Sequence, residues 1–405
     1  MENYQIIRLG HLGDGIAEGP LFAPLTLPGE VVQARREGDQ LRDVKIVTPS
    51  EHRVSPPCRH FKSCGGCQLQ HASDAYLADW KVDVVRTALT AQGIEAAFAP
   101  IHVSPPQSRR RATFAARRTK KGAMAGFHAK ASDVIVEIPD CQLLHPDLLA
   151  ARPVAEALAV AGASRKHSLD VAITLSGNGL DVAVRGGKPL DGPLRMELAQ
   201  LAEAHDLARL AWEDEVIATR LPPEQDFDGV KVVPPPGAFL QATLDGETKL
   251  RDEVKRITQG AKRVVDLFAG TGTFALPLAQ DAEVHAVEGD PAMMAALDAG
   301  WRHGAGLKAV THEARDLFRR PLMPDELGKF QAAVIDPPRA GAEAQISELC
   351  QSDIPVIAYV SCSPASFARD ARRLLDAGFE MGPVQVVDQF RWSAHVELVA
   401  AFHRG

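Results

Sequence analysis

The spacing of hydrophobic and polar positions changes twice along the chain, and the first change falls near residue 53. Before it, short apolar runs are separated by turn signals such as Gly13-Asp14-Gly15 and Pro28-Gly29. The runs are IIRLG, PLFAPL, EVVQARR and LRDVKIV. Short strands joined by turns rich in Gly and Pro are typical of small all-β modules. The pattern therefore predicts a small β-barrel over residues 1–53.

The stretch from residue 54 to 233 mixes both periodicities. A segment rich in Pro, Cys and Gly precedes a helical pattern over 76–92. Further helices are predicted near 146–162 and 192–205. Strands are predicted at 111–118, 125–128, 133–138, 169–175 and 179–185. This order predicts a central α+β domain.

The second change follows the break at 234–237, where the sequence is PPPG. A helix predicted over 243–258 leads into alternating apolar strands and helices. The strands are VVDLFAG, VHAVE, KAVTHE, QAAVIDPP, PVIAYVSC and VELVAAF. Such alternation predicts an α/β domain over 234–405 with a doubly wound, mainly parallel sheet. Ligands of these folds bind beyond the carboxyl ends of the strands.

Composition limits the classes of protein that fit. Hydrophobic residues make up 45% and charged residues 24%, as in folded soluble proteins. No apolar run approaches the roughly 20 residues that cross a bilayer, and the start MENYQ lacks the features of a targeting peptide. We therefore expect a cytoplasmic protein without a membrane partner. In a reducing compartment its six cysteines indicate metal ligation or catalysis.

The net charge of −7 argues against a protein that coats nucleic acid without specificity. One segment differs from this average. Residues 109–121 hold seven cationic residues within thirteen positions. This segment is either a solvated strand-and-turn face or a surface that contacts phosphate groups.

Four cysteines are spaced as metal ligands: Cys58, Cys64, Cys67 and Cys141. Four thiolates suit either zinc or an iron–sulfur cluster. The glycines at 65 and 66 let the backbone wrap closely around a cluster. Zinc sites of this size usually pair two C-x2-C segments, and the second is absent here. The spacing therefore favours a 4Fe–4S cluster, which we expect to serve as a scaffold.

The segment 264–274 runs from a predicted strand through the turn Gly270-Thr271-Gly272 into a helix. A G-x-G turn is weak evidence by itself, because glycines recur in any tight strand-to-helix turn. The dinucleotide fingerprint tolerates Ala275, so a nicotinamide cofactor is not excluded. Asp266 and Glu288 are candidate carboxylates for ribose hydroxyls in either cofactor class.

Cys362 follows the strand PVIAYV and precedes a predicted helix, whose N-terminus favours a thiolate. The alternative is a small buried hydrophobic residue. The segment 336–339, DPPR, ends another strand. Its Arg339 stands where enzymes that methylate exocyclic amines carry an aromatic residue, which argues against that chemistry. RNA cytosine-C5 enzymes carry Pro-Cys at this strand end, and no Cys is present here.

Together these motifs resemble the TRAM-containing RNA uracil-C5 methyltransferases, a class I family dependent on S-adenosylmethionine. The N-terminal LGHLGDG and LPGEVVQARREG resemble the TRAM domain, an OB-like barrel. The C-terminal motifs resemble those of the family's Rossmann-like methyltransferase domain. They are FLQ at 239–241, D-x-F-x-G-x-G-x-F from 266, DPPR, SCSP at 361–364 and HVE at 395–397. Ser363 departs from the family's usual Asn, and we expect a shifted hydrogen bond there.

The resemblance implies roles for individual residues. Cys362 would attack uracil C6, and Glu397 would remove the C5 proton. The residues implied to bind S-adenosylmethionine are Gln241, Phe268, Gly270, Thr273, Glu288, Asp316 and Asp336. The four spaced cysteines match the iron–sulfur motif of the ribosomal-RNA branch, whereas the transfer-RNA branch generally lacks them. This favours 23S rRNA as the partner of a monomeric enzyme.

Three alternatives stay open. The chain could be a transfer-RNA uracil-C5 methyltransferase. A non-catalytic iron–sulfur RNA-binding protein would explain the barrel, the basic segment and the four cysteines, but not Cys362 and Glu397. A nicotinamide oxidoreductase would explain the glycine turn, but not the DPPR motif.

Overall fold

The computed structural model describes residues 1–404, and its first part is a closed β-barrel. The strand order is β1-β2-β3-β5-β4, and β4 pairs with β1 to close the barrel. Inward-facing Ile6, Val32 and Leu41 are fully buried, whereas the residues on either side of each are partly or fully exposed. The predicted barrel is thus confirmed. Its strands are β1 (Glu2–Leu9), β2 (Gly15–Ala17), β3 (Leu21–Ala23), β4 (Val31–Glu37) and β5 (Gln40–Thr48).

The cysteine-containing loop after the barrel leads into helix α1 (Asp74–Thr90) and then the short strand β6 (His102–Val103). Ser73 caps the helix, since its Oγ accepts the N–H of Tyr76 at 3.3 Å. Lys81 on α1 is buried and ion-paired with Asp388, far along the chain. Helix α1 is therefore fixed to the C-terminal part of the protein.

The central domain is a mixed sheet of order β13-β12-β11-β10-β7-β8-β9. Helices α3 and α4 cover the face formed by residues such as Phe114, Val171 and Val182. The helix predicted over 146–162 is divided at Ala151, because Pro153 lacks the N–H that a continuous helix needs. The elements are β7 (Arg111–Arg118), β8 (Ala123–His128), β9 (Ile135–Val136), α2 (Pro146–Ala150), α3 (Arg152–Gly162), β10 (Leu169–Ser176), β11 (Gly179–Arg185), α4 (Gly192–Ala204), β12 (Arg209–Trp212) and β13 (Glu215–Thr219).

The C-terminal domain contains the predicted doubly wound sheet, of order β18-β17-β16-β19-β20-β23-β22-β6. Strands β16 to β20 are parallel, and β23 is antiparallel to β20. Its elements are β14 (Gln225–Phe227), β15 (Val230–Val232), α5 (Leu244–Ile257), β16 (Arg263–Leu267), α6 (Ala275–Leu278), β17 (Glu283–Glu288), α7 (Pro291–His303), β18 (Val310–Ala314), α8 (Pro324–Leu327), β19 (Ala332–Ile335), α9 (Glu343–Gln351), β20 (Val356–Ser361), α10 (Pro364–Asp376), β21 (Phe379–Met381), β22 (Gln385–Asp388) and β23 (Glu397–Arg404).

Packing assigns two segments of the predicted central domain to the C-terminal unit. Helix α1 packs on α10, and β6 pairs with β22. The β14–β15 hairpin shares an apolar core with α5 and α7. The C-terminal sheet is thus flanked on both sides by chain that precedes residue 234. Within residues 1–404, no helix has the length and apolarity that a bilayer-spanning segment needs.

The basic segment 109–121 is divided by the fold. Arg110 is buried and ion-paired with Glu247 of α5, so it joins two domains and is unavailable to a phosphate group. Arg111 lies over the ring of Phe239, 4.6 Å from its centroid. Within the described residues, no carboxylate pairs with the remaining cations of the segment, which are Arg109, Arg117, Arg118, Lys120 and Lys121.

Candidate active site

A cavity of about 470 Å³ opens at the carboxyl ends of β16, β17, β19 and β20. Parallel strands all point their carboxyl ends to the same edge, so residues that are distant in sequence meet there. The structure brings together the nine catalytic and cofactor residues that the sequence predicted. They are Gln241, Phe268, Gly270, Thr273, Glu288, Asp316, Asp336, Cys362 and Glu397.

The glycine turn after β16 has the backbone that this edge requires. Gly270 and Gly272 have φ of 56° and 96°, and a Cβ on Gly272 would lie 2.9 Å from the side chain of Leu276. Phe268 is also held at a positive φ, 63°, which is unusual for an aromatic residue. The N–H of Gly270 donates to Glu288 Oε2 at 3.1 Å. The turn thus orients the carboxylate of the neighbouring strand.

Asp266 differs from Glu288, although the sequence made both of them candidates for ribose hydroxyls. Asp266 is fully buried and does not line the cavity. Burial, followed by the charge of Asp336, raises its pKa well above the usual range. Of these two carboxylates, Glu288 is therefore the one that a bound cofactor can reach. Asp266 is buried beneath the glycine turn.

Two aromatic rings form an apolar wall of the cavity. Phe268 and Phe318 have centroids 5.4 Å apart, and Phe318 is 47% exposed, which leaves a face for a flat ligand. Asp316 Oδ1 accepts the N–H of Phe318 at 3.0 Å and fixes its loop. The sequence predicted Asp316 but missed Phe318. A phenylalanine in the loop after a strand belongs to no recognisable motif.

The opposite end of the cavity holds the reactive groups. Burial, followed by the charges of Glu397 and Asp336, raises the pKa of the half-buried Cys362 thiol to about 11, although Arg339 opposes them. Helix α10 does start just after Cys362, as predicted, but the effect of its N-terminus on the thiol pKa is outweighed by burial and two carboxyl groups. Glu397 is fully buried, and burial followed by Asp336 raises its pKa well above the usual range.

Gln389 supports the predicted cofactor residue Gln241. Its Nε2 donates to Gln241 Oε1, and its Oε1 accepts the N–H of Ala242 at 2.7 Å. Because the side-chain oxygen of Gln241 accepts this bond from Gln389, the side-chain NH2 of Gln241 remains to donate to a ligand. Sequence reasoning missed Gln389, which follows a short buried strand and is 148 residues from its partner.

The four spaced cysteines lie close enough for their charges to interact. Burial, together with the charges of Cys141, Cys64 and Cys58, raises the pKa of Cys67 to about 12. Gly66 donates its N–H to Cys64 Sγ at 3.4 Å. Within residues 1–404, no group of three or more His, Cys, Asp or Glu residues is arranged to hold a metal ion. Iron–sulfur binding is therefore considered below as a proposal.

Comparisons with known proteins bear on this site. A family model described as tRNA (Uracil-5-)-methyltransferase matches residues 307–404. An uncharacterized RNA methyltransferase from Mesorhizobium japonicum is 45% identical over 98% of this chain and 97% of its own length. The 23S rRNA (uracil(1939)-C(5))-methyltransferase RlmD from Shewanella piezotolerans is 33% identical over 99% and 95%, respectively.

A solved structure also matches the fold. The crystal structure of Pyrococcus abyssi tRNA (uracil-54, C5)-methyltransferase in complex with S-adenosyl-L-homocysteine has a TM-score of 0.74 and 22% identity. The match covers 98% of this chain and 99% of that one. At this identity the likeness establishes the fold alone.

The doubly wound sheet, its glycine turn and the cavity beside it fit a methyltransferase dependent on S-adenosylmethionine, which is the class that the family model and the relatives name. Combined with the full-length relatives, they identify the family: the chain belongs to the RNA uracil-C5 methyltransferases. It is therefore an enzyme with an RNA substrate. This excludes the nicotinamide oxidoreductase and the non-catalytic RNA-binding protein that the sequence left open.

Binding of S-adenosylmethionine is expected to release protons near neutral pH. Burial raises the pKa of Asp336 to about 7, and Glu397 is raised as well. A sulfonium cation in the cavity favours both carboxylates and lowers these pKa values. Affinity should therefore rise as pH increases through about 7. Titration calorimetry in buffers of different ionisation enthalpy measures the release. S-adenosylhomocysteine, which lacks the sulfonium charge, is the control. Equal proton release by both ligands would contradict the prediction.

Proposed function

We propose that the enzyme methylates C5 of a uridine in 23S rRNA through a covalent bond between Cys362 and uracil C6. The observation that carries this proposal is the joint position of Cys362 and Glu397 in the wall of the cofactor cavity. Uracil C5 is a poor nucleophile, so the ring must be activated before a methyl group can be transferred. A thiolate at one side and a base at the other meet that requirement.

The steps follow from the residues. The Cys362 thiolate forms a bond to C6, and the electron pair of the C5–C6 double bond moves towards C5. S-adenosylmethionine, when bound, supplies the methyl group that C5 takes. Glu397 then accepts the C5 proton, the C5–C6 double bond reforms, and the C6–S bond breaks to restore the thiolate. The products are 5-methyluridine and S-adenosylhomocysteine, whose sulfur keeps the electron pair of the broken S–CH3 bond, and the proton on Glu397 passes to solvent.

The raised pKa of Cys362 gives a reason for ordered binding. Burial and two carboxyl groups oppose the thiolate and raise the pKa of Cys362 to about 11, so the thiol form predominates at neutral pH. The positive charge of a bound sulfonium would favour the thiolate, as the charge of Arg339 does. We therefore propose that the Cys362 thiol becomes reactive once the methyl donor is bound. This order would limit reaction of the thiol with other electrophiles before the donor binds.

The relative named RlmD supports ribosomal RNA as the substrate, since it matches this chain over nearly its whole length. We expect methyl transfer from labelled S-adenosylmethionine to a 23S rRNA fragment, with little transfer to tRNA transcripts of the same organism. Mass mapping of 5-methyluridine identifies the position. Preferential transfer to tRNA would contradict the proposed substrate and leave the chemistry intact.

RNA would reach the cavity along the basic segment. Arg117, Arg118, Lys120 and Lys121 lie at the end of β7 and the turn after it, and they form no ion pair with described residues. Cations without acidic partners are available to phosphate groups. Arg111 leads from this strand to Phe239 at the cavity wall. The buried Arg110 takes no part in this surface.

We further propose that Cys58, Cys64, Cys67 and Cys141 hold a 4Fe–4S cluster. The donor set fits: the thiols are close to one another and two of them are buried. A cluster has a metal at each of four corners, so its ligands stand farther apart than those of one ion. The loop also lies tightly on the end of β8, since a Cβ on Gly65 would lie 2.7 Å from the carbonyl oxygen of His128.

Replacing Cys67 with serine should remove the cluster. Anaerobically purified enzyme is expected to contain about four iron and four sulfide per chain, and the Cys67→Ser variant a small fraction of that amount. Thermal stability should fall with the loss, because the cluster would join the loop to the segment around Cys141. Cys350→Ser is the matched control, since Cys350 lies apart from the set and should keep full iron content. Stoichiometric zinc in the wild type would contradict the cluster.

A further inference from the structure

The loop after β19, residues 337–342, is held from behind by one face of helix α10. Ser366 Oγ donates to the carbonyl oxygen of Arg339 at 3.0 Å. Arg369 Nη2 donates to the carbonyl oxygen of Ala340 at 3.1 Å. Positions three or four residues apart share a helix face, so these side chains point the same way. Consecutive loop residues are thus bound by the same helix.

Asp370 completes this arrangement. It is fully buried, and its Oδ2 accepts both the hydroxyl of Tyr359 at 2.7 Å and the N–H of Ala342 at 3.0 Å. Its Oδ1 accepts Nε of Arg369 at 2.8 Å. Tyr359 belongs to β20, which ends just before Cys362. One carboxylate therefore joins the strand, the loop and the helix that surround the nucleophile.

Gly341 shows how tightly the loop lies against the helix. Its φ is 79°, in the region that favours glycine. A Cβ at this position would lie 2.6 Å from Arg369 Nη2, 2.7 Å from Asp370 Oδ2 and 2.9 Å from Ser366 Cβ. No side chain fits there without displacing the loop. The distance between loop and helix is thus fixed by these groups.

The loop carries Arg339 into the cavity wall. The guanidinium lies 3.2 Å from His395 Nδ1, and its charge opposes the effects of burial on both Cys362 and Glu397. Helix α10 begins two residues after Cys362. The same helix therefore sets the position of the nucleophile at its start and the position of Arg339 through its next turn.

We propose that Ser366 and Asp370 are positioning residues that fix Arg339 relative to Cys362 in the reacting cavity. The proposal rests on the proposed function, because it assigns the network to the covalent step. Neither residue lines the cavity, so both act through the loop. A loop freed from α10 would let the guanidinium move away from the thiolate and from the bound uracil. Small displacements of such groups lower rates strongly.

The test is a cycle of Ser366→Ala, Arg339→Ala and the double variant. Ser366→Ala should lower kcat/KM roughly 10- to 100-fold, while the Kd for S-adenosylmethionine changes less than about twofold. In the Arg339→Ala background the same substitution should have almost no further effect, because the group it positions is gone. An equal loss in both backgrounds would overturn the proposal, as would an unchanged rate in Ser366→Ala. Arg372→Ala, on the same helix and paired with Asp376, is the matched control.

A second readout does not need the methyl transfer reaction. Alkylation of Cys362 by iodoacetamide, followed as a function of pH by mass spectrometry of its peptide, reports the thiolate. The midpoint should move to higher pH in Ser366→Ala and Arg339→Ala alike, and no further in the double variant. An unmoved midpoint in Ser366→Ala would refute the positioning role even if the RNA chemistry itself proved different. Failure of the wild type to methylate RNA would refute only the proposed function.

Discussion

Cys362→Ala is expected to lose RNA methylation by about four orders of magnitude or more, because no other group in the cavity can add to uracil C6. Cys362 is the cysteine that lines the cavity, whereas the thiol of Cys350 donates to the carbonyl oxygen of Arg373 in the last turn of α10. The measurement is transfer of labelled methyl groups to a 23S rRNA fragment under single-turnover conditions. Binding of S-adenosylmethionine should be nearly unchanged, since the thiol is small and lies at the reacting end.

The control for this variant is Cys350→Ala, which removes a thiol of similar burial without touching the cavity. It should keep methylation within about twofold of the wild type, because the residue lies outside the cavity and substitutions away from such features have small effects. Substantial turnover by Cys362→Ala would show that C5 is methylated without a covalent bond to this residue.

Glu397→Gln is expected to trap the enzyme on its substrate. Gln389 hydrogen-bonds to the Glu397 carboxylate, and glutamine at this position keeps the shape of the side chain and an oxygen for that bond, but it cannot accept the C5 proton. Methyl transfer should still occur once, and the methylated RNA should stay bound to Cys362 because elimination requires proton removal. Loss of a general base lowers the affected step by about 10²- to 10⁴-fold. Denaturing gels would show a protein–RNA complex that carries the label.

The double variant Cys362→Ala/Glu397→Gln separates this complex from tight non-covalent binding, since it should give none. Rapid turnover by Glu397→Gln, with free methylated RNA as the product, would assign the base to another group. Asp336 would then be the nearest candidate in the cavity wall.

Much of the site could be predicted from the sequence, because its residues stand where apolar strands end. Glu288 ends a short strand of the parallel sheet, Asp336 and Cys362 directly follow two others, and such ends meet at one edge. The glycine turn was predictable for a similar reason, since its backbone angles restrict the residues allowed. The barrel and the doubly wound sheet are confirmed on the same basis.

Other features depend on contacts between distant segments, which periodicity does not reveal. Arg110 belongs to a basic run, but packing against α5 pairs it with Glu247. Asp266 begins the cofactor motif, but the sheet buries it beneath the turn. Gln389 has no motif around it and acts through Gln241. The cytoplasmic location and the monomeric state stay predictions.

The central claim is the covalent bond between Cys362 and uracil C6. It is tested most directly by incubating the enzyme with S-adenosylmethionine and a 23S rRNA fragment that contains 5-fluorouridine, then sequencing the cross-linked peptide by mass spectrometry. Fluorine at C5 cannot leave as a proton, so a methylated adduct should accumulate on the peptide that contains Cys362. An adduct on another residue, or none despite methyl transfer to the unmodified RNA, would contradict the account.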